Sequence, residues 1–135
     1  DVSEKSIKGL HILLAEDNEL NMEIAEFLLQ NEGAEVTKAW NGQEIVELFR
    51  KSESGEFDVI LMDIMMPIIN GYEAAKRIRS LDREDAKKIP IIAMTANAFT
   101  EDRIRAKEAG MDENVAKPID VELLIKVIHK LVKHN

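Results

Sequence analysis

The sequence predicts an α/β domain built on a five-stranded parallel sheet, strand order 2-1-3-4-5, doubly wound with five helices. Two observations carry that expectation. Apolar runs rich in Val and Ile alternate five times with longer segments of helical period, at intervals that leave room only for compact strand and helix units. The central runs, Val59-Ile60-Leu61-Met62 and Ile91-Ile92-Ala93-Met94, are apolar at every position, as strands covered by helices on both faces must be. Right-handed crossovers then place helices on both sides of the sheet.

Strands are expected near 10–16, 34–39, 57–63, 89–95 and 113–117, and helices near 19–32, 42–53, 71–81, 100–110 and 120–133. Asp17 or Asn18 can cap the first helix. Asn41 precedes Glu44 by three and Asn70 precedes Glu73 by three, both with capping-box spacing, while Thr100 and Asp120 are good N-caps for the last two helices. Gly33 and Gly110 stand where helices should stop. The charge-rich connection from Ser80 to Lys88 reads as a solvated loop without function.

A length of 135 residues is that of one ordinary domain. The 18 basic and 26 acidic residues give a formal net charge of −8, which opposes nonspecific binding to nucleic acid or an anionic membrane surface. No apolar run approaches the roughly 18 residues of a membrane span, so no direct membrane insertion is expected. Asp1 to Lys8 lacks the apolar stretch of a signal peptide. Cysteine is absent, which excludes disulfides and thiolate metal sites; the cytoplasm is the default location. The polar opening, residues 1–9, reads as a linker or N-terminal extension before a domain spanning 10–135. With no initiator methionine, the chain is compatible either with a stand-alone protein or with excision from something larger.

Four apolar runs end on polar residues: Leu13-Leu14-Ala15-Glu16-Asp17-Asn18, Val59-Ile60-Leu61-Met62-Asp63, Ile91-Ile92-Ala93-Met94-Thr95 and Asn114-Val115-Ala116-Lys117-Pro118. If each run is a strand, Glu16, Asp17, Asp63, Thr95 and Lys117 meet at the carboxyl edge of the sheet, where open α/β sheets bind ligands. Three carboxylates there repel one another unless a cation compensates. Hard oxygen ligands with open water positions suit Mg²⁺. The chemistry this set supports is phosphoryl transfer to a carboxylate, with Asp63 as nucleophile and Thr95 and Lys117 taking phosphoryl oxygens. None of the histidines, His11, His129 and His134, is placed for catalysis.

With those motifs in this order and spacing, together with Met62-Asp63-Ile64-Met65-Met66-Pro67, Asn70-Gly71, Thr95-Ala96 and Lys117-Pro118, the chain resembles the response-regulator receiver domain of two-component signalling, from about Leu10 to Lys130. The resemblance implies the flavodoxin-like receiver fold, with Asp63 as phosphoacceptor. It implies Mg²⁺ bound directly by Asp17 and Asp63, through water by Glu16, and by the backbone carbonyl of Met65. Thr95 and Lys117 become the switch hydroxyl and the phosphate-binding lysine. Asp17-Asn18-Glu19-Leu20-Asn21, Met94-Thr95-Ala96-Asn97-Ala98 and Gly110-Met111-Asp112 look like receivers of hybrid sensor histidine kinases in particular. The expected partners are therefore a histidine kinase dimerisation domain or a histidine phosphotransfer domain, on the cytoplasmic side of any membrane-anchored parent. The expected role is relay, a signalling domain that promotes its own phosphorylation and dephosphorylation rather than an enzyme.

Ile69 and Asn70 stand where many members have Met and Asp. Asn114 stands where many carry a switching Tyr or Phe, which puts the usual aromatic switch in doubt. Met65 and Asn97 should tune phosphoryl lifetime by the same resemblance. On a helical wheel the apolar arc of the first helix is wider than burial needs, so Leu20 and Phe27, or Met22, are expected to stay partly exposed, and Leu20 and Phe27 to help dock a phosphohistidine-bearing helical partner. Two other readings share the fold. A phosphorylation-independent binding module would require decay of the site, and all five positions are intact. A flavin protein would need an uncharged phosphate loop where Glu16-Asp17 stands.

Overall fold

The structure is a computed structural model that describes residues 6–96 and 100–133. They form β1 (His11–Ala15), α1 (Glu19–Asn31), β2 (Glu35–Ala39), α2 (Gly42–Lys51), β3 (Val59–Asp63), α3 (Gly71–Arg79), α4 (Glu84–Lys88), β4 (Ile91–Thr95), α5 (Thr100–Glu108), β5 (Glu113–Ala116) and α6 (Val121–Lys133). The strands pair in parallel in the order β2-β1-β3-β4-β5, as expected. Every residue of β3 and β4 is buried, which explains why those runs show no alternation in sequence.

Side chains alternate between two cores. Leu13, Ala15, Ile60, Met62, Ile91 and Ala93 face the layer made by α2, α3 and α5, with Ile45, Phe49, Ala75, Ile78 and Ala106. Ile12, Leu14, Leu61, Ile92 and Met94 face α1 and α6, with Met22, Leu29, Leu124 and Ile128. Ile7, inside the stretch expected to precede the domain, is fully buried in this second core.

The caps form largely where the sequence places them. Asn18, not Asp17, caps α1 by accepting from the Asn21 N–H. Asn41 accepts from the Glu44 N–H, and the Glu44 carboxylate reaches back to the Trp40 N–H. Asn70 accepts from the Glu73 N–H, but Glu73 pairs with Arg77 rather than closing a box. Asp120 accepts from Glu122 and Leu123 at the start of α6. Gly33 and Gly110 both take positive φ after α1 and α5. The Thr100 side chain lies outside the described residues.

Among the described residues the helices number six, not five, because part of the charged connection is ordered. Ala86 of α4 is fully buried. Arg83 donates to the carbonyls of Phe49 and Ser52 at 2.8 and 2.9 Å, lies over the Phe49 ring and pairs with Asp85 at 2.8 Å. Its guanidinium thereby adds charge-assisted donors to carbonyls at the end of α2, where the Phe49 carbonyl also accepts from the Ser52 N–H and hydroxyl. The expectation of a solvated loop fails because these partners lie more than thirty residues away in sequence.

Candidate functional site

The strand order reverses at β1, whose neighbours are β2 and β3, so a crevice opens above the carboxyl ends of β1 and β3. Glu16 and Asp17 directly follow β1, Asp63 and Thr95 are the last residues of β3 and β4, and Lys117 directly follows β5. The five positions singled out by sequence therefore line one crevice of about 430 Å³.

Lys117 closes it. Its ammonium lies 3.0 Å from Glu16 Oε1 and 2.9 Å from Asp63 Oδ2. Glu16 Oε2 accepts from the Asn18 N–H and Asp63 Oδ1 from the Met65 N–H. Burial opposes the charge on Lys117, but the hydrogen bonds to Asp63 and Glu16 outweigh it and hold the ammonium above its ordinary pKa. Glu16 and Asp63 are almost wholly buried while Asp17 is exposed, and the three offer carboxylate oxygens within 4.8 Å of one another. One ammonium balances only part of that charge. An all-oxygen, net anionic set of this kind fits a hard divalent cation. Met65 lines the crevice as well.

Local backbone contacts fix these positions. The Lys117 N–H donates to the Thr95 carbonyl at 2.8 Å, tying the end of β5 to that of β4, and the Lys117–Pro118 peptide is cis. Thr95 is itself buried. Gly71 opens α3 against the site: its N–H donates to the Ile64 carbonyl at 2.8 Å, and a Cβ there would lie 2.5 Å from the Asp63 carbonyl oxygen. Between Asp63 and Gly71 the loop bulges outward, with Met65 and Ile68 exposed and Ile68 at φ 75°.

Three lining residues were not read from sequence: Tyr72, Asp102 and Arg105. The Arg105 guanidinium carbon sits 4.3 Å from the centre of the Tyr72 ring. Burial, then the Asp102 charge, pushes the Tyr72 hydroxyl up in pKa, and Arg105 opposes them. Tyr72 could have been found from its place beside Gly71. Arg105 carries no such signal, because its position depends on how α5 leans over the sheet.

On α1, Leu20 and Phe27 are 64% and 67% exposed, with Ile24 beside them, whereas Met22 is buried. A further cavity of about 310 Å³ runs from Glu16 and Lys117 along Ile24, Pro118 and Ile119. Among the described residues, the buried amide oxygen of Asn114 has no hydrogen-bond partner. Asn97 lies outside the described residues.

Residues 12–129 match the family model of the response regulator receiver domain. The chain is 35% identical to histidine kinase 1 of Arabidopsis thaliana over 97% of its length, and 43% identical to hybrid signal transduction histidine kinase M of Dictyostelium discoideum over 90%. It spans only 13% and 5% of those proteins. Among solved structures it is similar to the receiver domain of a sensor histidine kinase from Pseudomonas aeruginosa PAO1, with a magnesium ion coordinated in the active site cleft. The TM-score is 0.83 at 35% identity, covering 93% of this chain and 98% of that one. It is also similar to a Saccharomyces cerevisiae structure containing the receiver domain of a response regulator with its histidine phosphotransfer protein. There the TM-score is 0.82 at 28% identity, covering 93% and 90%.

Proposed function

The chain belongs to the response regulator receiver domain family, and from that premise we propose that Asp63 accepts a phosphoryl group from a phosphohistidine in a Mg²⁺-dependent reaction. The observation that carries this reading is the meeting of Asp63, two further carboxylates and the Lys117 ammonium in one crevice. Asp17 and Asp63 would hold Mg²⁺ directly, with the Met65 carbonyl, and Glu16 through water. When bound, the ion supplies neutralisation of charge between carboxylate and phosphoryl group.

In transfer, an Asp63 oxygen bonds to phosphorus as the phosphorus–nitrogen bond of phosphohistidine breaks and its electron pair returns to the imidazole. Lys117 moves from carboxylate to phosphoryl oxygen, and the Thr95 hydroxyl donates to another. Hydrolysis reverses the state when water attacks phosphorus and the acyl oxygen leaves. The kinship with hybrid kinases supports a relay role, passing the group between a kinase dimerisation domain and a histidine phosphotransfer domain on the cytoplasmic side. Among the described residues no helix is long and apolar enough to cross a membrane. Leu20 and Phe27 would dock the phosphohistidine-bearing helix, Ile24 and the cavity beside Pro118 extending that surface toward Lys117.

Intact-protein mass spectrometry after incubation with acetyl phosphate tests the reading. One phosphoryl group should be gained by the parent, only with Mg²⁺, and none by Asp63→Ala. Equal gain by both proteins would move the acceptor elsewhere. No gain by either, from acetyl phosphate or a phosphohistidine donor, would leave a phosphorylation-independent binding module.

A further inference from the structure

The crevice is lined by four carboxylates, Glu16, Asp17, Asp63 and Asp102, and two cations, Lys117 and Arg105. A phosphodonor is an anion, so its approach to this surface is opposed. Lys117 cannot offset that at a distance, because its ammonium is already held between Glu16 and Asp63. Arg105 is placed differently. Among the described residues no carboxylate forms an ion pair with it. Its guanidinium rests on the Tyr72 ring, at the wall of the crevice, and the residue is exposed. A guanidinium stacked on an aromatic face keeps its N–H donors in the plane of the group, free for a bidentate contact with phosphoryl oxygens.

We propose that Arg105 is a positioning residue for the incoming donor, drawing its phosphoryl group into the crevice and orienting it toward Asp63 from a perch on Tyr72. This rests on the phosphoacceptor reading above. The perch matters as much as the charge: a cation leaning on Asp102 or Asp17 would be neutralised, whereas one held by a ring keeps its field for the ligand.

The test measures phosphorylation rate against acetyl phosphate concentration, with Mg²⁺, by intact-protein mass spectrometry. Arg105→Ala should lower the second-order rate about threefold to tenfold at low salt. Arg105→Glu should lower it further, and Arg105→Lys should recover most of it. The differences should shrink in about 1 M salt, where the screening length is roughly 3 Å. Arg103→Ala removes the same charge from the same helix, at a residue lining a separate cavity, and should stay near the parent rate. The assignment is overturned if Arg105→Ala and Arg105→Glu keep the parent rate and salt dependence, or if Arg103→Ala slows the reaction as much. A parent chain that gains no phosphoryl group overturns both this inference and the reading beneath it.

Discussion

Replacing Gly71 by alanine should disturb the site from outside it. The added Cβ would lie 2.5 Å from the Asp63 carbonyl oxygen and 3.0 Å from Ile64 Cα, where an ordinary carbon–oxygen contact is about 3.3–3.6 Å. Roughly 1 Å of separation has to be found, and neither neighbour is the end of a flexible side chain. The Gly71 N–H bond to Ile64 and the Asn70 cap on Glu73 hold the start of α3 in place, so the strain goes into β3 and the loop after it. Overpacking of this kind costs about 1–3 kcal/mol. The helix-propensity gain of alanine over glycine is at most about 1 kcal/mol and is small at a first helical position. Tm should therefore fall by roughly 4–10 °C. A displacement near 1 Å at a nucleophile can cost about 100-fold in rate, so phosphorylation from acetyl phosphate should slow by at least tenfold. Gly55→Ala is the matched control: its φ is +81° with open space around it, so it should lose only about 1 kcal/mol of conformational strain and no phosphorylation rate. A Gly71→Ala protein as stable and as reactive as the parent would refute the argument.

Four more outcomes follow from particular contacts. Lys117→Met leaves Glu16 and Asp63 without their counter-charge and should cost about 1–3 kcal/mol, discounted for the partial exposure of the lysine; Mg²⁺ should raise its Tm more than that of the parent. Arg83→Ala removes charge-assisted donors from the Phe49 and Ser52 carbonyls at the end of α2 and should cost about 2 kcal/mol in urea unfolding at neutral pH. The hydrogen bond from Arg83 holds the Asp85 carboxyl below its ordinary pKa, so the Asp85 share of that loss is full above the ordinary carboxylate pKa. It should vanish as pH falls through the lowered folded-state value, measured as a shrinking difference between the two proteins. Ile68→Gly relieves a β-branched residue at positive φ and should stabilise by about 1 kcal/mol, readable as a rise in urea midpoint. Leu20→Ser with Phe27→Ser should slow transfer from a phosphohistidine partner at least tenfold more than phosphorylation by acetyl phosphate, as expected of apolar anchors in an interface; equal effects on both reactions would remove α1 from the docking surface.

The parts of the site legible in sequence are those set by strand ends. Period and apolar content locate the end of each strand within a residue or two, and in a parallel sheet the ends converge. Asp63 and Thr95 could therefore be placed together although thirty-two positions separate them. Capping residues were legible for a similar reason, since Asn18, Asn41, Asn70 and Asp120 act within three residues of themselves. What escaped depends on contacts between distant segments. Helix α4 has five residues and no apolar stripe, and is ordered by Arg83 reaching back to α2. Ile7 sits in a polar stretch whose burial comes from the α1 and α6 layer. Arg105 enters the crevice only because Ala106 of α5 and Ala109 just beyond it pack into the core against the sheet, which turns the neighbouring arginine toward Tyr72.

The same geometry explains why one lysine can serve three strands. β3 lies between β1 and β4, and β5 lies beyond β4, so a side chain leaving β5 toward Asp63 must pass over the end of β4, where Thr95 sits. Lysine has the reach, and its own N–H is anchored to the Thr95 carbonyl at 2.8 Å. The ammonium contacts to Glu16 and Asp63 thus close a ring of polar contacts across the carboxyl ends of β1, β3, β4 and β5. A phosphoryl group on Asp63 would add charge and bulk inside that ring, at the point where the Lys117 ammonium now lies. The ammonium must then part from at least one carboxylate, and because its backbone is tied to Thr95, the strain is delivered first to the junction of β4 and β5. Asn114, opposite Ala93 on β4, stands at that junction, and among the described residues its buried amide oxygen has no hydrogen-bond partner. A rearrangement there would change the hydrogen bonding open to that amide.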